Sequence, residues 1–189
     1  MRKLTTLIMM VMFLVACQQQ NGTPSAEDAY TVITEAELQA GDAIPVPVGD
    51  VVLTVSGAIT NTNVDNTLQF DMETLEKLGL IEYSVDDQQA EGEVVTFQGV
   101  LLSDILAVAG ATEDATNLNT IALNDYSIDI PISDAQNYPV MVATQVNGER
   151  MTVERYGPTR IVYPYESYNL DTVIYDPRWI WQLSSIIVE

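Results

Sequence analysis

The chain of 189 residues carries 27 acidic and 7 basic side chains, a formal net charge of −20, with no histidine and a single cysteine. The absence of histidine excludes Ser-His-Asp and Cys-His catalysis and histidine-ligated zinc or haem, leaving any acid–base chemistry to carboxylates, tyrosines and a few basic groups. So acidic a surface excludes nucleic acid and anionic lipid headgroups as electrostatic partners, while a hydrophobic fraction of 47% provides for the core of one domain.

The first element is a leader. Arg2 and Lys3 form a basic start, Leu7 to Val15 an apolar core, and Leu14-Val15-Ala16-Cys17 has the lipobox pattern of bacterial lipoproteins. The apolar run falls short of the ~20 residues a membrane-spanning helix requires. The expectation is a signal peptide over residues 1–16 and a lipid on Cys17, which holds the protein in the cell envelope facing the periplasm or exterior. Gln18, in place of aspartate, favours the outer membrane where the source has one. With Cys17 used as anchor, the mature domain has no disulfide, no thiolate nucleophile and no sulfur ligand. It keeps 27 acidic against five basic residues, a net charge near −22.

Residues 17–48 read as the lipidated Cys and a tether, polar over Gln18 to Asp28. Within them Thr34-Glu35-Ala36-Glu37 has capping-box spacing and predicts a short helix, and Pro45 and Pro47 force extended backbone. The domain is expected over 49–189. Val51 to Ser56 predicts a strand, and Asn61 to Thr67 a polar loop. Asp71 is placed to cap a helix from Met72 to Leu78 that Gly79 ends. Asp86 to Glu93 reads as a solvated acidic loop and Val94 to Phe97 as a strand. Leu101 to Ala109 reads as an apolar helix stopped by Gly110. Two hairpins follow. Thr120–Leu123 and Tyr126–Ile130 flank Asn124-Asp125, and Val140–Val146 and Glu149–Val153 flank Asn147-Gly148, both pairs suited to type I′ turns. Ile161–Tyr163 and Ser185–Val188 complete the strands. Many short strands with two or three short helices describe a single mixed α+β domain. Asn61, Asn63 and Asp65 alternate like calcium ligands, but without the loop glycine and closing glutamate no metal site is expected.

Five segments stand in one order from Val51 onward: Leu53-Thr54-Val55-Ser56-Gly57, Phe97-Gln98-Gly99-Val100-Leu101-Leu102-Ser103-Asp104-Ile105-Leu106, Asn124-Asp125-Tyr126 with Ile130-Pro131, Gly157-Pro158-Thr159-Arg160 to Pro164, and Trp179-Ile180-Trp181-Gln182-Leu183 to Val188. In these segments the chain resembles the oxidoreductase molybdopterin-binding domain, the fold of sulfite oxidase and related periplasmic molybdoenzymes. Ala122 to Tyr126 and the Arg178-to-Leu183 ending also resemble a short subfamily of small exported proteins.

The resemblance implies a molybdenum-binding cysteine about twelve residues before Gly99, which lands near Asp87, a hard oxygen ligand in place of a soft thiolate. It also implies a pterin-phosphate site. Its arginine is matched by Arg160, its upstream polar residue falls at Arg155 with the glycine spacing one residue short, and its lysine falls at or near Trp181.

Four of the five basic residues of the mature chain, Arg150, Arg155, Arg160 and Arg178, lie among the last forty or so residues together with seven tyrosines and tryptophans. Arginine is suited to bidentate capture of carboxylate or phosphate. Arg155, Tyr156, Arg160, Arg178 and Trp181 are therefore the candidate lining of an anion or ligand site; the competing expectation is a set of structural ion pairs with the abundant carboxylates. No catalytic residue is assigned. The expectation is a non-catalytic binding module for a small anionic ligand or an envelope protein, without cofactor. The alternatives are a molybdopterin-dependent oxidoreductase with an atypical site and a structural envelope protein.

Overall fold

A computed structural model describes residues 29–87 and 93–189. The leader, Cys17 and the polar tether lie outside the described residues. Two sheets dominate. In the first, β1 (Thr31–Thr34), β4 (Leu80–Asp87), β5 (Glu93–Leu101), β8 (Met141–Val146) and β10 (Arg160–Val162) lie side by side in that order, all antiparallel, with β9 (Glu149–Arg150) beside β8. The second runs β3 (Leu68–Asp71), β2 (Val51–Gly57), β11 (Leu183–Val188), β6 (Asn117–Ala122) and β7 (Ser127–Pro131), with β11 parallel to β2 and the other pairs antiparallel. The helices are short: α1 (Met72–Glu76), α2 (Leu102–Ala109), α3 (Ile132–Asn137), α4 (Tyr165–Tyr168) and α5 (Thr172–Tyr175). This is the expected mixed α+β architecture.

Several elements follow directly from local chemistry. The Asp71 side chain accepts the Thr74 N–H at 2.9 Å and starts α1, as an N-cap does. Leu102, Ile105, Leu106, Val108 and Ala109 bury one face of α2, which ends at Gly110 in the left-handed region. Asn147 and Gly148 both take positive φ and join β8 to β9 in a two-residue turn.

Four expectations are corrected. The capping-box helix at Thr34 does not form: Thr31–Thr34 is instead edge strand β1, paired with β4, and the Glu37 and Leu38 N–H groups donate to the Lys77 carbonyl. Ala29 and Ile44 are buried, so packing against the domain begins well before residue 49. Asn124-Asp125 is not a two-residue turn, since only Asp125 takes positive φ and the loop spans Leu123 to Tyr126. The acidic stretch from Asp86 is not loop at its start. Asp86 and Asp87 continue β4, paired with Val94 and Glu93.

That last correction positions the site. In β4 the side chains of Ile81, Tyr83, Val85 and Asp87 are buried while those between them are more exposed, the period of two that sends alternate residues to one face. Asp87 therefore points into the core as the fourth member of an apolar row. The first sheet curls enough for the Tyr83 hydroxyl on β4 to reach the Val162 carbonyl on β10 at 2.7 Å.

Candidate functional site

Arg160 opens β10 and is only 2% exposed. Its Nη1 donates to Asp87 Oδ2 at 3.1 Å, and Asp87 is 4% exposed. Aromatic rings enclose the guanidinium. Its central carbon lies 4.9 Å from the Trp179 ring centroid, 5.0 Å from that of Phe97 and 5.9 Å from that of Tyr156, inside the range of cation–π attraction. Trp179 meets Phe97 edge-on at 6.2 Å and stacks on Tyr165 at 5.3 Å, and Tyr156 lies 4.5 Å from Trp181. Burial lowers the pKa of Arg160, while the charge of Asp87 and its hydrogen bond pull the other way.

The enclosure is short of acceptors. Arg160 Nε and Nη2, and the indole N–H groups of Trp179 and Trp181, are buried and find no hydrogen-bond partner among the described residues. A buried unpaired donor typically costs ~1–3 kcal/mol. Four such donors in one neighbourhood mark a place where polar groups are held ready and incompletely satisfied.

The backbone explains how the parts meet. Gln182 N donates to the Tyr156 carbonyl, Leu183 N to that of Thr159, and Ile161 N to that of Ile180. This irregular ladder lays the segment from Tyr156 to Ile161 against that from Ile180 to Leu183. Tyr156 and Gln182 take positive φ to follow it, and the Gly157–Pro158 peptide is cis.

Of the five candidate residues, the structure brings Tyr156, Arg160 and Trp181 together and separates Arg155 and Arg178. The arginines do not share an anion pocket, because each meets a different carboxylate. Arg150 forks onto Glu76, which also accepts from the Thr144 hydroxyl at 2.6 Å. Arg155 reaches Glu149 at 3.7 Å with both side chains exposed, a geometry that contributes little. Arg160 takes Asp87. Arg178 donates to Asp134 Oδ2 at 2.6 Å and lies 5.0 Å from the centroid of the Tyr175 ring.

Asp134 forms a second buried polar cluster that the sequence reading missed. It accepts from the Tyr163 hydroxyl at 2.8 Å as well as from Arg178. Tyr175 donates to the Tyr138 hydroxyl at 3.3 Å, which with burial pushes its pKa up to about 12. Burial first, then Asp134, hold the Tyr163 hydroxyl protonated far above its ordinary range. Asp134 lies on α3, a helix with no side-chain cap that starts straight after Pro131, so no capping signal advertised it. Asn61 and Asn63 are loop-building residues. Asn61 donates to the Asp42 and Val108 carbonyls, and Asn63 donates to those of Pro45 and Gln69. Among the described residues no three acidic, histidine or cysteine side chains converge on a point that would hold a metal ion.

Residues 50–169 match the family described as oxidoreductase molybdopterin binding domain. The fold is similar to a crystal structure of the sulfane dehydrogenase SoxCD from Paracoccus pantotrophus, with a TM-score of 0.56 and 19% sequence identity. That likeness covers 77% of this chain and 40% of the SoxCD chain, and at this identity it speaks for the fold alone. No curated protein matches the chain significantly.

Proposed function

The chain belongs to the oxidoreductase molybdopterin binding domain family, and from that premise we propose that it is a lipid-anchored envelope protein using the fold as a binding module rather than as a molybdenum enzyme. The carrying observation is the buried pair of Asp87 and Arg160. Asp87 stands at or near the place where the resemblance implies the molybdenum thiolate, and Arg160 where it implies a phosphate-binding arginine. In this chain the two residues engage each other.

The residues present do not fit a thiolate-ligated molybdopterin. Asp87 offers a hard oxygen where a soft sulfur is needed, and the only cysteine is Cys17 in the lipobox. Trp181 stands at or near the position of the implied lysine, and the chain's net charge of −20 opposes capture of a phosphate. The anchor rests on the Leu14-Val15-Ala16-Cys17 pattern behind a basic, apolar leader.

Elemental analysis of protein produced in a host competent for molybdopterin synthesis tests the reading. The expected molybdenum content is negligible; about one metal per chain, bound tightly enough to survive purification, would restore the oxidoreductase. In the same cells a clickable fatty acid should label the wild type and not Cys17→Ser. An unlabelled wild type would remove the anchor from the proposal.

A further inference from the structure

Beside the Arg160 enclosure lies a cleft of about 340 Å³ between the β6–β7 loop and the segment from Asp176 to Gln182. Asn124, Tyr126, Asp176, Trp179, Trp181 and Gln182 contribute to its walls. The volume lies at the small end of ligand pockets, which run to ~300–1,000 Å³. We propose that this cleft binds a neutral, hydroxyl-rich ligand, a sugar or polyol unit; this rests on the binding-module reading and specifies its ligand.

Three observations select that chemistry. Trp179 and Trp181 line the cleft, each carries an indole N–H that finds no acceptor among the described residues, and an indole N–H can only donate. A ligand that meets these donors must bring acceptor oxygens, which a tetraalkylammonium ion lacks. Among the described residues the one charged group in the wall is Asp176, whose Oδ1 takes the Tyr165 hydroxyl at 2.6 Å. A carboxylate there repels anions and accepts from a hydroxyl, so the ligand must also donate. Finally, Tyr126 is half exposed at the mouth and offers a flat apolar face, while the faces of Trp179 are engaged by Tyr165 and Arg160. A ring with one apolar face and hydroxyls around its edge satisfies all three.

The chain contains two tryptophans, and both line this cleft. Tryptophan emission, excited selectively over the nine tyrosines, thus reports on this cleft and on the Arg160 enclosure that Trp179 shares with it. The test titrates full-length protein, in a polyoxyethylene detergent, with glucose and with N-acetylglucosamine. Phosphate and tetramethylammonium serve as charged probes. The expected result is a saturable change in emission with a sugar and none with the charged probes. Trp181→Phe, which keeps a ring but loses the N–H, and Tyr126→Ala, at an exposed loop position, should each weaken sugar binding about tenfold, or about 1.4 kcal/mol. Isothermal titration gives the same comparison without relying on the altered fluorophore. The proposal is overturned if neither sugar changes the emission up to about 100 mM, beyond which affinity is negligible. It is equally overturned if a charged probe saturates instead, or if both variants bind sugar like the wild type. Molybdenum content measured on the same sample separates the two failures. Metal in the protein defeats the binding-module reading, whereas metal-free protein with silent emission defeats only the sugar site.

Discussion

Asp87 Oδ2 accepts a hydrogen bond from Arg160 Nη1 at 3.1 Å, joining the last residue of β4 to the first of β10 inside an aromatic enclosure. Both side chains are almost fully withdrawn from water. Such a pair contributes modest net stability when intact and a large penalty when halved, because the remaining buried charge loses its countercharge. Arg160→Ala should therefore destabilise the domain by about 3–5 kcal/mol, read from urea denaturation. Replacing both residues, as Asp87→Leu with Arg160→Met, should recover most of that loss. A single Arg160→Ala cost below about 1 kcal/mol would mean that other groups around Asp87, or water, carry its charge without Arg160.

Gly99 sits where β5 passes β8, at the register shift between Gln98 and Gly99. A Cβ there would lie 2.3 Å from the Val142 carbonyl oxygen and 2.5 Å from the Ala143 Cα. Both obstacles are backbone in the middle of the first sheet, so neither can rotate away. Gly99→Ala should cost at least about 2–3 kcal/mol, at the upper end of overpacking. Thermal denaturation checks this against Gly148→Ala, where nothing stands within 4 Å but φ is +78°. That variant should lose about 1 kcal/mol from backbone strain alone.

Much of the scaffold was legible because local signals and global packing agree there. Asp71 caps α1, Gly110 stops α2, and Asn147-Gly148 turns β8 into β9, each from its own side-chain chemistry. The site was half legible. The sequence nominates Tyr156, Arg160 and Trp181, which do meet, but presents the partner of Arg160 as part of a solvated loop. The acidic composition around Asp87 masked the alternation Ile81, Tyr83, Val85, Asp87, whose inward phase was the available signal. β1 was missed for a different reason. Its four residues are exposed and belong to a strand only through pairing with β4, a long-range fact that a capping-box pattern does not contain.

Asp71 makes the fold sensitive to acid. Its carboxylate accepts N–H groups from Val48, Gly49 and Thr74 at 2.9–3.0 Å, and these hydrogen bonds hold its pKa well below the usual carboxylate range. A depressed pKa in the folded state contributes stability above the unfolded value and loses it as pH falls toward the folded value. The loss should therefore begin below about pH 4. Asp71→Asn replaces one of two accepting oxygens with an amide nitrogen that cannot accept, so it should lower stability at pH 7 by about 1–2 kcal/mol and flatten the slope of stability between about pH 4 and pH 2. Chemical denaturation at stepped pH measures both, and an unchanged slope would assign the acid response to other carboxylates such as Glu76, whose pKa is also lowered.

Asp134 couples two donors that come from different elements. Tyr163 follows β10 and Arg178 precedes the cleft-lining tryptophan segment, and both donate to the same oxygen, Oδ2, at 2.8 and 2.6 Å. Either donor alone keeps the buried carboxylate partnered; loss of both leaves it unpaired. Tyr163→Phe should thus cost about 1 kcal/mol, the net value of one hydrogen bond. Arg178→Met should cost about 1–3 kcal/mol, tempered because part of Arg178 faces solvent. The double variant should exceed the sum of the two by about 0.5–3 kcal/mol. Equilibrium unfolding of the four proteins in the cycle yields the coupling directly. A coupling near zero would show that Asp134 finds another partner or becomes protonated once either donor is gone, and that Tyr163 and Arg178 support the fold independently.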